Sequence, residues 1–133
     1  MVLDSSAVLA LLFAEDNAAQ IAAAVKRDRT RLISAATVLE CDIVARRTRG
    51  EAAVRGLEAL LSKIRCEVVP FTLVQLGHAR AAFDRYGKGR HPAGLNFGDC
   101  FSYALARASN EPLLFKGSDF AKTDVTAVVL PPE

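Results

Sequence analysis

The sequence predicts an α/β fold, a three-layer α/β/α sandwich around a short, mostly parallel central sheet. Two observations carry that expectation. Brief apolar runs suited to strands alternate with longer helical segments along the whole chain, the pattern of a parallel sheet covered by helices. Hydrophobic residues fill 51 % of the 133 positions, and strands buried on both faces absorb such a content. A chain of this length buries roughly two-thirds of its unfolded surface. No linker, repeat or low-complexity stretch divides it, so residues 1–133 read as a single domain.

Val2 and Leu3 form a very short first strand, followed by Asp4-Ser5-Ser6. The apolar run Ala7 to Ala14 predicts a buried helix capped by Ser5 or Ser6. Asp16 or Asn17 opens a second helix through Val25, and the basic run Lys26 to Arg31 closes it, with charges that suit a helix C-terminus. Leu32 and Ile33 form the second strand, ending at Ser34. A third helix spans Ala35 to Arg49. Thr37 and Glu40 have capping-box spacing, yet Ser34 is an equally good cap. With Ser34 as cap, Glu40 lies inside the helix among Val38, Leu39, Cys41, Ile43 and Val44, where a carboxylate needs a partner. Gly50 ends this helix, and Glu51 to Ile64 forms another with Leu57, Leu60, Leu61 and Ile64 inward.

Glu67 to Phe71 is the third strand, stopped by Pro70. Thr72 to Tyr86 is a helix with Leu73, Leu76 and Phe83 on its inner face. The basic loop from Gly87 to Leu95, with Gly89, Pro92 and Gly94, is predicted to be the most flexible connection and a functional one. Leu95 to Ala108 then reads as a short loop feeding a helix. Asn96 caps it, Asp99 lies in its first turn, and Phe97, Phe101, Ala104, Leu105 and Ala108 form a buried stripe. Pro112 to Phe115 is the fourth strand, Lys116 to Phe120 turns sharply, and Thr126 to Leu130 is a last strand.

Composition excludes several classes. No run of about 18 apolar residues exists, so a membrane-spanning helix is not expected. No basic leader precedes the first apolar run and Asp4 interrupts it, which leaves a cytoplasmic location as the expectation. Cys41, Cys66 and Cys100 lack metal-ligand spacing and read as buried free thiols. His78 and His91 are too far apart for a zinc site. The net charge is only +2, but the bases cluster: Lys26, Arg27, Arg29 and Arg31; Arg46, Arg47 and Arg49; Arg85, Lys88 and Arg90. Such clusters fit a polyanion partner, and singly each fits a solvated helix end.

Most of the fifteen acidic residues fall on helix surfaces. Asp4 and Asp119 instead follow strands, Glu40 sits early in the helix after another strand, and Asp99 starts a helix. In open α/β sheets, ligands bind beyond the carboxyl ends of the strands, so these four carboxylates are placed to converge. Close carboxylates repel and cannot all ionise without a cation. Oxygen ligands without His or Cys select a hard ion, Mg2+ or Mn2+, which suits metal-assisted phosphodiester hydrolysis. Individually, each acid is more often a cap or turn residue than a ligand; their joint placement is what points to a shared site.

The stretches VLDSSAVLALL, ATVLE, NFGDCFSYALA and LLFKGSDFAKTDV, in that order and over nearly the whole chain, resemble the PIN-domain ribonucleases, above all the VapC toxins of bacterial toxin–antitoxin pairs. By that resemblance Asp4 matches the family's first acid, with the Ser6 hydroxyl beside it, Glu40 the second and Asp99 the third. The fourth position departs from the pattern. Gly117 stands where the usual acid would be and Phe115 where a threonine would be, with Asp119 as the nearest replacement and Asp124 behind it.

The resemblance implies a Mg2+-dependent endoribonuclease, acting on tRNA or other structured RNA. It further implies a dimer, held inactive by a small VapB-like antitoxin that also binds operator DNA. Asp4, Glu40 and Asp99 would hold the metal or position water, with Asp119 as fourth acid and Ser6 and Asn96 as polar neighbours. Lys88, Arg90 and Lys116 would contact the RNA backbone. Apolar surface for the antitoxin is expected on the second to fourth helices, including Ile43, Val44 and Val54, residues that core packing explains just as well. Two other readings compete. A phosphorelay receiver has similar length but needs adjacent acids after its first strand, where this chain has Asp4 and two serines. A binding module with its acids as structural caps would show no tight Mg2+ or Mn2+ site.

Overall fold

The computed structural model describes residues 1–133. Its strands are β1 (Val2–Leu3), β2 (Leu32–Ser34), β3 (Glu67–Val69) and β4 (Leu113–Leu114). Its helices are α1 (Ser5–Leu12), α2 (Ala18–Arg27), α3 (Ala35–Lys63), α4 (Leu73–Tyr86) and α5 (Phe97–Ser109), with a 3-10 turn at Phe120–Lys122. All strands run parallel in the order β3-β2-β1-β4. That order excludes the receiver-like reading, whose sheet is ordered 2-1-3-4-5.

Side chains alternate across the sheet, and both faces are covered. Leu3, Ile33 and Leu114 point into a core closed by α1, α2 and α3, with Val8, Ile21, Cys41 and Leu57. Val2 and Leu113 point the other way, onto Tyr86, Leu95, Tyr103, Leu105 and Phe120 beneath α4 and α5. This is the expected three-layer sandwich with a short parallel sheet. Because chain order reverses between β1 and β4, a crevice opens beyond their carboxyl ends, and Asp4 sits directly there.

Several elements differ from the sequence expectations. Helix α1 starts at Ser5, capped by Asp4 rather than by a serine: the Asp4 carboxylate accepts the Ser6 N–H. Ser34 caps α3, accepting from the Ala36 N–H, which leaves Glu40 inside the helix. Gly50, with φ 73° and ψ −159°, is non-helical and divides α3 into two helical halves, 35–49 and 51–63, as expected. Residues Thr126 to Leu130 are not a full strand. Only Ala127 pairs, with Leu113, since the neighbouring β4 is just two residues long.

The Gly87 to Leu95 loop is also tighter than expected. Gly87 pairs with Leu95, Lys88 N donates to Leu95 O at 2.9 Å and Leu95 N to Tyr86 O at 2.9 Å. Ala93 and Leu95 are buried beneath it, so it is a closed loop rather than a loose one.

Two expected buried stripes hold only in part: Ala104 and Leu105 are buried and Phe101 and Leu76 half-buried. Phe97 is 80 % exposed and Ala108 also faces solvent. The buried side of α5 is instead Cys100 and Ser102 to Ala106. On α4, Leu73 is 85 % exposed and Phe83 40 %, while Gln75, Ala82 and Tyr86 face inward. Val54 is buried and belongs to the core rather than to a partner surface, the second of its two expected roles. Cys41 and Cys100 are buried free thiols and Cys66 a partly buried one.

Candidate active site

Asp4 leaves β1 at the switch point and is 3 % exposed. Its N–H donates to Leu114 O at 2.9 Å, extending the β1–β4 pairing by one residue. The carboxylate is held on both oxygens. Oδ2 accepts the Ser6 hydroxyl at 2.7 Å and the Ser6 N–H at 3.0 Å, and Oδ1 accepts the Ser102 hydroxyl at 2.6 Å. The Ser6 hydroxyl in turn accepts the Lys116 N–H at 2.9 Å, so the loop after β4 is tied to the same acid.

Glu40 enters from α3, and its Oε1 is buried without a hydrogen-bond partner. Burial raises its carboxyl above the usual range, the Ser5 hydroxyl partly offsets this, and the Asp4 charge adds to it. The carboxylate lies against the backbone of Gly98 at the start of α5. A Cβ on Gly98 would fall 2.4 Å from Glu40 Oε2. A side chain at position 98 would have to displace the Glu40 carboxylate.

Asp99 forms a reciprocal cap with Asn96. Its N–H donates to Asn96 Oδ1 at 2.9 Å, and its Oδ2 accepts the Asn96 N–H at 3.0 Å. Its carboxyl is nevertheless pushed up to about 6. Burial is the main cause, the Asn96 N–H opposes it, and the charges of Asp4, Glu40 and Asp119 raise it further. Asp99 thus has a helix-end role and also feels every other acid of the expected set.

Asp119 is exposed, precedes the 3-10 turn and makes no capping bond, which leaves its carboxylate uncommitted. Asp124 is engaged elsewhere. Its Oδ1 accepts the Tyr103 hydroxyl at 2.7 Å, and its Oδ2 faces Arg107 at 3.6 Å and Arg85 at 3.8 Å. Of the two, only Asp119 contributes to the charge that raises Asp99. Among the expected backbone-contacting bases, Lys116 pairs with Glu15 at 2.6 Å and Arg90 with Asp84 at 3.2 Å, while Lys88 is exposed on the closed loop.

Four acids from four separate segments therefore share one field. No three of them lie close enough together to hold a metal ion as they stand. An all-oxygen donor set, an unpartnered buried carboxylate oxygen on Glu40 and a raised Asp99 fit a hard divalent cation.

Sequence reasoning missed Ser102 and Gly98. Each had a local signal: a serine on the apolar side of a helix, and a glycine in a first turn, where it costs helix stability. Beside the acids, Leu39, Ile43, Val44, Phe97 and Phe101 line a groove of about 490 Å³ between α3 and α5, with Glu40 at its edge. Across the Phe97–Phe101 ridge, Phe71, Leu76 and Phe83 line a second apolar hollow of about 460 Å³.

Comparison with known proteins places this arrangement. The PIN domain family model matches residues 1–125. Ribonuclease VapC30 of Mycobacterium tuberculosis is 48 % identical over 131 residues, covering 98 % of this chain and all of that protein. In fold, the chain is similar to Mycobacterium tuberculosis VapC20, a sarcin-ricin loop cleaving toxin, with a TM-score of 0.79 at 18 % identity and 98 % of each chain covered. It is also similar to VapBC2 from Rickettsia felis, solved bound to a DNA fragment from their promoter, with a TM-score of 0.73 at 17 % identity, 95 % of this chain and 94 % of that one being covered. A full-length match of fold and sequence, with acids at the β1–β4 switch point, means that the chain belongs to the PIN-domain family and, within it, to the VapC ribonucleases.

Proposed function

We propose that this chain is a Mg2+-dependent endoribonuclease toxin, with Mn2+ as substitute, that hydrolyses phosphodiester bonds in structured RNA such as tRNA. The observation that carries the reading is the shared field of Asp4, Glu40, Asp99 and Asp119, which leaves Asp99 pushed up to about 6 and a Glu40 oxygen buried without a partner. Asp4, Glu40 and Asp99 hold the cation. When bound, it supplies positive charge at the scissile phosphate and acidifies water there.

The chain's own groups do the rest. Asp119, exposed at the rim, accepts a proton from or orients the attacking water. Ser6 fixes Asp4, and Asn96 fixes Asp99 by the reciprocal cap. The α5 N-terminus favours a phosphate nearby, and Lys116, Lys88 and Arg90 neutralise flanking phosphates. Lys116 exchanges Glu15 for phosphate on binding.

The partner is a VapB-like antitoxin, and operator DNA is reached only through it. The apolar groove of Leu39, Ile43, Val44, Phe97 and Phe101 supports this, because it borders the acids and would let one segment cover both. The exposed Leu73, Val74 and Phe83 of α4 support a homodimer. No helix is long and apolar enough to cross a membrane, in keeping with a cytoplasmic toxin of one nuclease domain spanning residues 1–133.

The test is a panel of synthetic and transfer RNAs incubated with the purified chain and Mg2+, beside Asp99→Ala. Cleavage that needs the divalent ion and falls at least about 100-fold in the variant is expected. Cleavage by Asp99→Ala at the full rate sinks the assignment.

A further inference from the structure

Ser102 lies in the middle of α5 and is fully buried. A serine inside a helix ordinarily bonds a carbonyl one turn earlier. On the same helix Ser109 does this, donating to Leu105 O at 2.6 Å. Ser102 instead donates to Asp4 Oδ1 at 2.6 Å, a residue 98 positions away. The bond joins the end of β1 to the helix that carries Asp99 in its first turn. Ser102 is three residues beyond Asp99, a spacing that puts both on one side of the helix. Its length and charge-assisted character make it one of the stronger bonds in the crevice.

The other Asp4 oxygen is fixed independently. Ser6 Oγ accepts the Lys116 N–H at 2.9 Å, which directs its own proton to Asp4 Oδ2 at 2.7 Å. The Ser6 N–H adds a bond to the same oxygen at 3.0 Å. An ionised carboxylate offers about four acceptor directions. Ser6 takes both on Oδ2, and Ser102 takes one on Oδ1. A single direction on Oδ1 stays open.

We propose that Ser102 is a positioning residue for the nuclease centre: its hydroxyl sets the rotation of the Asp4 carboxylate and the Asp4–Asp99 spacing, so that Asp4 offers one defined oxygen to a divalent cation. The proposal rests on the reading of the acidic cluster as that centre. Without the bond, Asp4 turns about its Ser6 anchor and α5 shifts against β1.

The test compares the parent chain with Ser102→Ala, which removes the donor, and Ser102→Thr, which keeps it. Mn2+ affinity is measured by calorimetry, stability by urea unfolding in chelator, and RNA cleavage as separate kcat and KM. Ser102→Ala is expected to bind Mn2+ about 10-fold to 100-fold more weakly and to lose kcat in proportion, with RNA KM unchanged. Ser102→Thr is expected to regain most of the affinity. Parent-like Mn2+ binding by Ser102→Ala, or a threonine variant as weak as the alanine one, overturns the proposal while leaving the nuclease reading intact. A parent chain that neither binds Mn2+ nor cleaves RNA overturns the reading and the proposal together.

Discussion

Replacing Asp99 by asparagine should make the metal-free protein more stable while abolishing its cleavage of RNA. The Asp99 carboxyl is pushed from the usual 3.8 up to about 6, first by burial and then by the charges of Asp4, Glu40 and Asp119. A folded-state value above the unfolded one means that the folded chain holds this proton more tightly. The ionised carboxylate therefore opposes folding at high pH. The penalty is absent below about 3.8, grows between about 3.8 and 6 and is complete above about 6.

At about 1.4 kcal/mol per unit, the ceiling is ~3 kcal/mol, and solvent around a half-buried group reduces it to ~1–2 kcal/mol. Asparagine keeps an oxygen for the Asn96 N–H, but loses a favourable charge at the helix start, ~0.3–1 kcal/mol. The net gain is about 1 kcal/mol at pH 7.5, and the titrating part shrinks to about a third by pH 4.5. Urea unfolding of both chains in chelator at the two pH values measures it. Saturating Mg2+ should then reverse the order, since an ion bound only by the folded parent chain stabilises it by mass action. A variant less stable than its parent at pH 7.5, or a gap independent of pH, refutes the reasoning.

Further outcomes follow from the same geometry. Gly98→Ala places a Cβ 2.4 Å from Glu40 Oε2, a flexible carboxylate that moves rather than blocking the fold; alanine also favours the helix by up to about 1 kcal/mol. Cleavage should fall about 10-fold to 100-fold, since small misplacements are costly, with a urea midpoint no lower than the parent's. Asp119→Ala should lower the cleavage rate more than about tenfold at unchanged stability. Asp124→Ala should do the reverse, costing ~1–3 kcal/mol in urea unfolding because the Tyr103 hydroxyl loses its acceptor. Tyr103, then Arg107 and Arg85, hold the Asp124 carboxyl below its usual range. Its contribution is therefore present above pH ~4 and lost as pH falls further, so Asp124→Asn should flatten the acid side of the stability profile.

The layered fold and three of the converging acids were legible because they depend on local pattern and a general rule. Strands as short as Val2–Leu3 and Leu113–Leu114 still declare themselves between helices, and a parallel sheet brings the residues after its strands to one edge. The choice of Ser34 over Thr37 as the α3 cap was open in the sequence, because both have suitable spacing; strand β2 decides it by running to Ser34 itself. Asp119 and Asp124 were likewise equal. What separates them is the Tyr103 hydroxyl and two arginines, brought from α4 and α5 by tertiary packing that no local pattern encodes. Ser102 was invisible for a similar reason, its partner being 98 residues away.

The misread helix faces have a different cause. Helical spacing correctly found apolar residues on α4 and α5, but periodicity says only that a face is apolar, not what covers it. Within the chain, α4 and α5 cover each other through Ala82, Tyr86 and Tyr103, and the sheet covers Leu105 and Ala106. That leaves Phe83 and Phe97 facing outward around Phe101, and Leu73 exposed at the start of α4. A monomer gains nothing from exposing a contiguous apolar face of this kind, and such faces mark interaction sites. The Phe97–Phe101 ridge stands between a groove that ends at Glu40 and the hollow beneath α4. An antitoxin on the first and a second copy on the second would give these residues the burial that their spacing anticipates.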